Sequence, residues 1–225
     1  MSVRAGADPD PGAAVRRPGR RALGASVLAI WAMAVLVVGA ALMVPHVIAL
    51  PAPAHDDGRL ALAMRSLPGA VPGRWTALHV LYQDCGCSAR VFARLIGRHA
   101  RADLNEEVLF VRDAPRADAD VEQTAQRARG AGFHFQSVTP AELQQRYAIE
   151  SVPLLVVADA GGQVRYSGGY TEKSGAVEVE DAAIIDGVPA GRTIQPLPVF
   201  GCAVSSRMQE AIDPLRLKYV RRDPP

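Results

Sequence analysis

Cysteine is scarce in this chain. Three in 225 residues are too few for a small scaffold stapled by disulfides. Net charge is nearly absent: 25 Lys and Arg against 23 Asp and Glu leave +2. No basic stripe runs along the later chain, so the electrostatic footprint of a nucleic-acid binder is missing. There is no G-x-x-x-x-G-K-[ST] loop, no G-x-G-x-x-G opening a helix, and no G-x-S-x-G elbow. The usual phosphate cradles and the serine-hydrolase turn are therefore not in evidence. A second long apolar run is also lacking. No internal repeat is seen. With 49% hydrophobic and 21% charged residues, the chain is not wholly disordered, and its length suits one domain with an appendage.

The one long apolar run is Ala22–Val44, 23 residues without a charge. About 20 helical residues cross roughly 30 Å of hydrocarbon. Arg16, Arg17, Arg20 and Arg21 precede it, whereas Arg59 and Arg65 beyond it are accompanied by Asp56 and Asp57. That asymmetry keeps the N-terminus in the cytoplasm and exports the rest. A cleaved signal peptide is the alternative, with Ala52-Pro53-Ala54 as a site, but signal cores run only about 7–15 residues. A buried core helix would need other apolar segments to surround it. The expected organisation is a disordered cytoplasmic segment (1–21), a transmembrane anchor (22–48), a linker with Pro51, Pro53, Pro68 and Pro72 (49–73), a folded domain (74–169) and a C-terminal extension (170–225). The piece Leu60–Leu67 is amphipathic and suited to packing on the domain.

Within the domain the periodicity alternates. Trp75–Tyr82, Glu107–Arg112, Phe133–Val138, Val152–Ala158 and Gln163–Tyr166 predict strands, the last two joined through Gly161-Gly162 as a hairpin. Ser88–Ala100 places Val91, Phe92, Leu95 and Ile96 on one helical face. Asp118–Gly130 predicts an exposed helix. Thr139-Pro140-Ala141-Glu142 is a helix start, with Thr as N-cap, Pro at N1 and Glu at N3. Val179–Val188 suits a further helix, and Gln195–Phe200 is irregular. Strands alternating with helices predict an α/β fold, with a mixed sheet because of the hairpin.

The chemistry concentrates at Cys85-Gly86-Cys87-Ser88, after a strand and before a helix. A thiolate is the nucleophile of disulfide exchange, and a helix N-terminus stabilises it. A second thiol nearby releases the mixed disulfide. Cys85, at the loop tip, is expected to attack and Cys87 to resolve. A Cys-x-Cys disulfide closes a ring of about eleven atoms, which departs from relaxed geometry. Strained disulfides are the more oxidising, so an oxidant, isomerase or redox sensor is favoured over a strong reductant. Asp84 would oppose ionisation of Cys85 if close.

The run Tyr82-Gln-Asp-Cys85-Gly-Cys87-Ser88, then Ser151-Val152-Pro153, then Gly161–Tyr166 resembles the thioredoxin-like superfamily, and its membrane-tethered periplasmic members in particular. The resemblance spans Trp75–Gly169. It implies a thioredoxin-like mixed sheet flanked by helices, a cis Pro153 lying against the cysteine pair, and a bacterial inner-membrane protein acting on protein thiols and disulfides with no organic cofactor. The family's usual pair is Cys-x-x-Cys with Trp before it. Here Asp84 precedes Cys85, and Ser88 stands where the second cysteine normally does.

Cys202 is the odd cysteine. It is either an additional redox thiol folding back on Cys85 and Cys87 or a small buried hydrophobe. Two other functions compete with exchange. One is a copper chaperone, with Cys85, Cys87 and His134 as ligands; His79 reads as a strand residue and His99 as a helix-end residue. The other is a non-catalytic interaction domain. A Cys₄ zinc site is excluded by count, and Cys₃His would need Cys202 to converge. Glu106-Glu107 and Glu178/Glu180/Asp181 read as solvated faces, and Trp75 and Tyr170 as packing residues.

Overall fold

The computed structural model describes residues 19–54, 57–112, 118–176, 178–214, 216, 218 and 219. Most of the segment expected to be disordered, residues 1–18, lies outside them. The chain divides into two compact units, Met1–Ala41 and Leu42–Pro225. Helix α1 (Gly19–Val47) begins three residues before the uncharged run, with Arg20 and Arg21 in its first turn. Its stretch Leu23–Met43, 21 residues, is long and apolar enough to cross a membrane.

The larger unit holds α2 (Gly58–Arg65), β1 (Thr76–Tyr82), α3 (Gly86–Arg98), β2 (Asn105–Val111), α4 (Asp118–Gly130), β3 (His134–Val138), α5 (Pro140–Tyr147), β4 (Ser151–Val152), β5 (Leu154–Ala158), β6 (Val164–Gly168), α6 (Asp181–Gly187), β7 (Cys202–Ala203) and α7 (Ser206–Ile212). Five strands form one sheet in the order β3-β2-β1-β5-β6. The first three run parallel, β5 pairs antiparallel with β1, and β6 pairs antiparallel with β5, so the sheet is mixed as expected. The capping box of α5 is present, with Glu142 N donating to Thr139 Oγ1 at 3.2 Å and Thr139 N to Glu142 Oε2 at 2.7 Å.

Strand side chains alternate between two cores, as the pleat requires. Leu78, Val80, Leu109, Val111, Leu154 and Val156 join α2 and α5 on one face. Ala77, Leu81, Val108, Phe110, Leu155 and Val157 join α3 on the other. Covered on both sides, β1 and β2 are buried at every position, which overturns the expectation that Glu106 and Glu107 are solvated. Asp181 is buried as well. Burying a charge is costly unless it is paired, and Arg98 reaches Glu106 at 3.0 Å and Asp181 at 2.7 Å. His79 bonds Glu106 (3.0 Å) and the Tyr170 hydroxyl (2.9 Å).

The segments read as linker and extension are both woven into this body. Asp57 caps α2 through Arg59 N (2.8 Å) and Leu60 N (3.3 Å), and Leu60, Ala63 and Met64 enter the first core. Leu50 bridges Val199. From the C-terminal side, Tyr170, Ile184, Ile185 and Val188 fill the second core, while Val199, Cys202 and Val204 fill the first. Leu60, Ala63 and Met64 come from α2 and Ile184 and Ile185 from α6, as the amphipathic stretches there suggest; Leu50, Val199 and Cys202 lie in short irregular or two-residue pieces that leave no periodic pattern.

Candidate functional site

The site is built where β1 ends. Tyr82 N donates to the buried Ser88 Oγ at 3.1 Å, and Cys85 N to Tyr82 O at 3.2 Å. Ser88, at the position usual for a second cysteine, thus fastens the strand to the helix. Cys85 is the N-cap of α3 and Cys87 lies in its first turn. All three cysteines are free thiols.

Their exposure reverses the expected roles. Cys85 is only 2% exposed, whereas Cys87 is half-buried and lines a cleft of about 650 Å³ with Arg90, Pro153, Tyr170, Phe200 and Gly201. Cys85 at the N-cap is tucked beneath the turn, so Cys87 is the sulfur an incoming molecule meets. Arg90 Nη2 lies 3.6 Å from Cys87 Sγ. The Val152–Pro153 peptide bond is cis, and Pro153 forms part of the same cleft wall.

Cys202 arrives from the C-terminal segment. β7 pairs antiparallel with β4, placing Cys202 opposite Val152. Gly201 makes that approach possible, because a Cβ there would collide with the Val152 carbonyl and the Pro153 ring. The result is a group of three thiols packed in one core, with Cys85 close enough to both Cys202 and Cys87 to shift its titration. Cys202 is buried, and it packs in the same core as Cys85.

The group shares protons unevenly. Cys202 is drawn below the ordinary thiol range, chiefly by the hydrogen bond from Cys85, against burial and with help from Lys218 and the Tyr219 hydroxyl. Cys85 is pushed up, first because its proton serves Cys202 and then by burial, while the Cys87 hydrogen bond opposes. Cys87 is pushed up by donating to Cys85 and by burial, against the pull of Arg90. Asp84 is exposed; Cys202, not this carboxylate, has the largest influence on Cys85.

His134 does not join the site. In the parallel sheet it stands in register with Glu107, which stands in register with Leu78 near the start of β1. The cysteines follow the other end of β1, so the copper ligand set with His134 is not assembled. Among the described residues no cluster of three His, Cys, Asp or Glu side chains is arranged to hold a metal ion. His79 is a sheet residue as expected, and His99 ends α3 with φ 63°. Three contributors went unread in the sequence. Arg90 was legible as the residue three beyond Cys87 on a helix. Lys218 and Tyr219 come from the far end of the chain and carried no local signal.

No family model matches the chain, and no curated protein does. Among solved structures, an uncharacterized conserved protein from Geobacillus kaustophilus aligns at TM-score 0.50 with 15% identity, over 72% of this chain and 93% of its own. A thioredoxin-like protein solved in its oxidized form aligns at 0.42 with 18% identity, over 54% and 82%. The thioredoxin domain of a thiol-disulfide oxidoreductase from Bacteroides vulgatus aligns at 0.32 with 14% identity, over 41% and 67%. These likenesses are of fold. The fold of the larger unit is a mixed five-strand sheet flanked by helices.

Proposed function

We propose that this protein is a thiol-disulfide oxidoreductase for protein substrates, tethered by α1 to the bacterial inner membrane with its folded domain in the periplasm. The observation that carries the reading is the placement of Cys87: a thiol half-open to a cleft, at a helix start, backed by a second thiol and flanked by Pro153. Cys87 attacks a substrate disulfide, forming a mixed disulfide and releasing one substrate thiolate. Cys85, which touches Cys87, then attacks the Cys87 sulfur and frees the second. Losing a proton is the difficult step for Cys87, and the group supplies a route. When Cys202 is a thiolate, shifting the Cys85 proton to Cys202 and the Cys87 proton to Cys85 moves the negative charge to Cys87, beside Arg90. Pro153 shapes the wall along which a substrate backbone would lie. The arginine cluster at Arg16, Arg17, Arg20 and Arg21 supports the orientation.

Reduction of insulin by dithiothreitol tests the activity, using the full chain purified in detergent. The wild type should accelerate the reaction and Cys87→Ser should not; a wild-type rate equal to that of dithiothreitol alone refutes the proposal. Alkaline carbonate washing tests the tether, since an anchored chain stays in the membrane pellet and a processed one is released.

A further inference from the structure

Two disulfides are open to Cys85, and the residues around it do not favour them equally. Joining Cys85 to Cys87 demands the strained ring of about eleven atoms. Joining it to Cys202 involves no local ring. Cys85 and Cys202 pack in the same core, and the strand carrying Cys202 is held in place by its pairing with Val152, by Gly201 against Pro153, and by Val204 N donating to Glu150 O at 2.8 Å. The other side of β7 is fastened too, with Ala203 N donating to the Tyr219 hydroxyl at 2.9 Å. A disulfide here also closes a long loop, and loop closure stabilises more as the loop lengthens.

We propose that Cys202 is a third redox thiol and that the lasting disulfide of the oxidised protein joins Cys85 to Cys202, leaving Cys87 free in the cleft. This rests on the exchange reading above. The steps balance. Cys87 thiolate attacks a substrate disulfide RS–SR, giving Cys87–S–SR and RS⁻. Cys85, its proton passed to RS⁻, attacks the Cys87 sulfur and expels the second RS⁻. Cys202 thiolate then attacks Cys85 of the Cys85–Cys87 disulfide, forming Cys85–Cys202 and returning Cys87 as thiolate. Two electrons have passed from Cys85 and Cys202 to the substrate, which leaves as two thiols carrying their two protons. Cys202 is 8% exposed, so its step is internal, and a regenerated Cys87 can form a further mixed disulfide while the oxidising equivalents are held beneath it as the Cys85–Cys202 disulfide.

The test uses full-length wild-type protein equilibrated with graded mixtures of oxidised and reduced glutathione, alkylated natively with iodoacetamide, digested with trypsin without reduction and sequenced by mass spectrometry. The expected species joins the peptide Trp75–Arg90 to the peptide Thr193–Arg207, with the native label on Cys87. In Cys202→Ser the disulfide should fall back within Trp75–Arg90, and its equilibrium constant against glutathione should shift toward the reduced form by about tenfold or more. The proposal is overturned if the wild type shows only the loop within Trp75–Arg90 with Cys202 as a thiol, or if the two proteins share one glutathione equilibrium. Insulin reduction separates the two ideas. Catalysis without the long-range link sinks Cys202 alone, and the link without catalysis sinks the exchange reading.

Discussion

Two groups of buried ionisable side chains lie on opposite faces of the sheet, and they are built in opposite ways. Around Glu106, charges of fixed sign meet: Arg98 spans two carboxylates, and His79 ties Glu106 to Tyr170. Around Cys85, three thiols bond mainly to one another, with Arg90 at the open end and Lys218 and Tyr219 at the closed end. The first group is held by ion pairs and hydrogen bonds and serves architecture, clamping the C-terminal segment to α3 and β2. The second can hold one proton fewer than it has sulfurs, in more than one arrangement, and it borders open space. Depth of burial does not distinguish them; freedom to redistribute a proton does.

The contrast breaks most sharply under substitution. Cys87→Ser should lower insulin reduction on the order of a thousandfold, as expected for loss of a nucleophile, with the unfolding midpoint nearly unchanged. Arg98→Met should do the reverse. Removing one partner of a buried ion pair costs about 3–5 kcal/mol, readable in urea unfolding, while activity per folded molecule persists. If Arg98→Met abolishes exchange in protein that remains folded, the two groups are not separate in role and the distinction drawn here is wrong.

Acid sharpens the same comparison by a smaller amount. Burial raises the Glu106 carboxyl, but hydrogen bonds from His79 and Arg98 outweigh it and hold the group at about 2. The folded value lies below the unfolded one, near 4.5. The stabilisation is therefore complete above the unfolded value and is lost as pH falls from there through about 2. A shift of this size corresponds to about 3 kcal/mol. Glu106→Gln should flatten the stability profile across that window and leave it unchanged in shape above it; an unaltered slope would mean that Glu106 is not the titrating group.

How much of this was legible from residues alone differs between the faces for a physical reason. The Cys-x-Cys pair, the strand before it, the helix after it and Pro153 lie in continuous, strongly patterned stretches, so the sheet and the location of the site could be read. Which cysteine faces outward could not, because that depends on how the turn at Asp84–Cys85 folds under Ser88. Cys202 was visible only as an odd cysteine. Its position opposite Val152 follows from a two-residue strand and a glycine, which leave no periodic trace. Glu106 and Asp181 were misread because charge normally marks a solvated face. Arg98 answers both, and it comes from a third segment that no local pattern connects to them.

Glu107 carries the contrast down to its smallest predicted effect, and it does so on the thiol face. It is one residue from Glu106 and as deeply buried, yet it points to the opposite core. Its Oε1 accepts from Gln136 Nε2, and its Oε2 has no hydrogen-bond partner among the described residues. Burial raises its carboxyl above the ordinary range, against the pull of Gln136, of the Gly69 backbone N–H and of nearby His134. The sign is opposite to that of Glu106. A raised folded value favours the fold below the unfolded pKa and loses that contribution as pH rises, so at neutral pH the charge is a cost. Glu107→Gln keeps the shape and removes the charge. It should stabilise the protein by about 1 kcal/mol at pH 7, within the range for relieving a buried polar mismatch. The gain should vanish in urea unfolding at pH 4, where the wild-type side chain is itself largely neutral. A loss of stability at pH 7 would mean that the neighbouring His134 pairs with the Glu107 carboxylate, and that this face holds fixed charge after all.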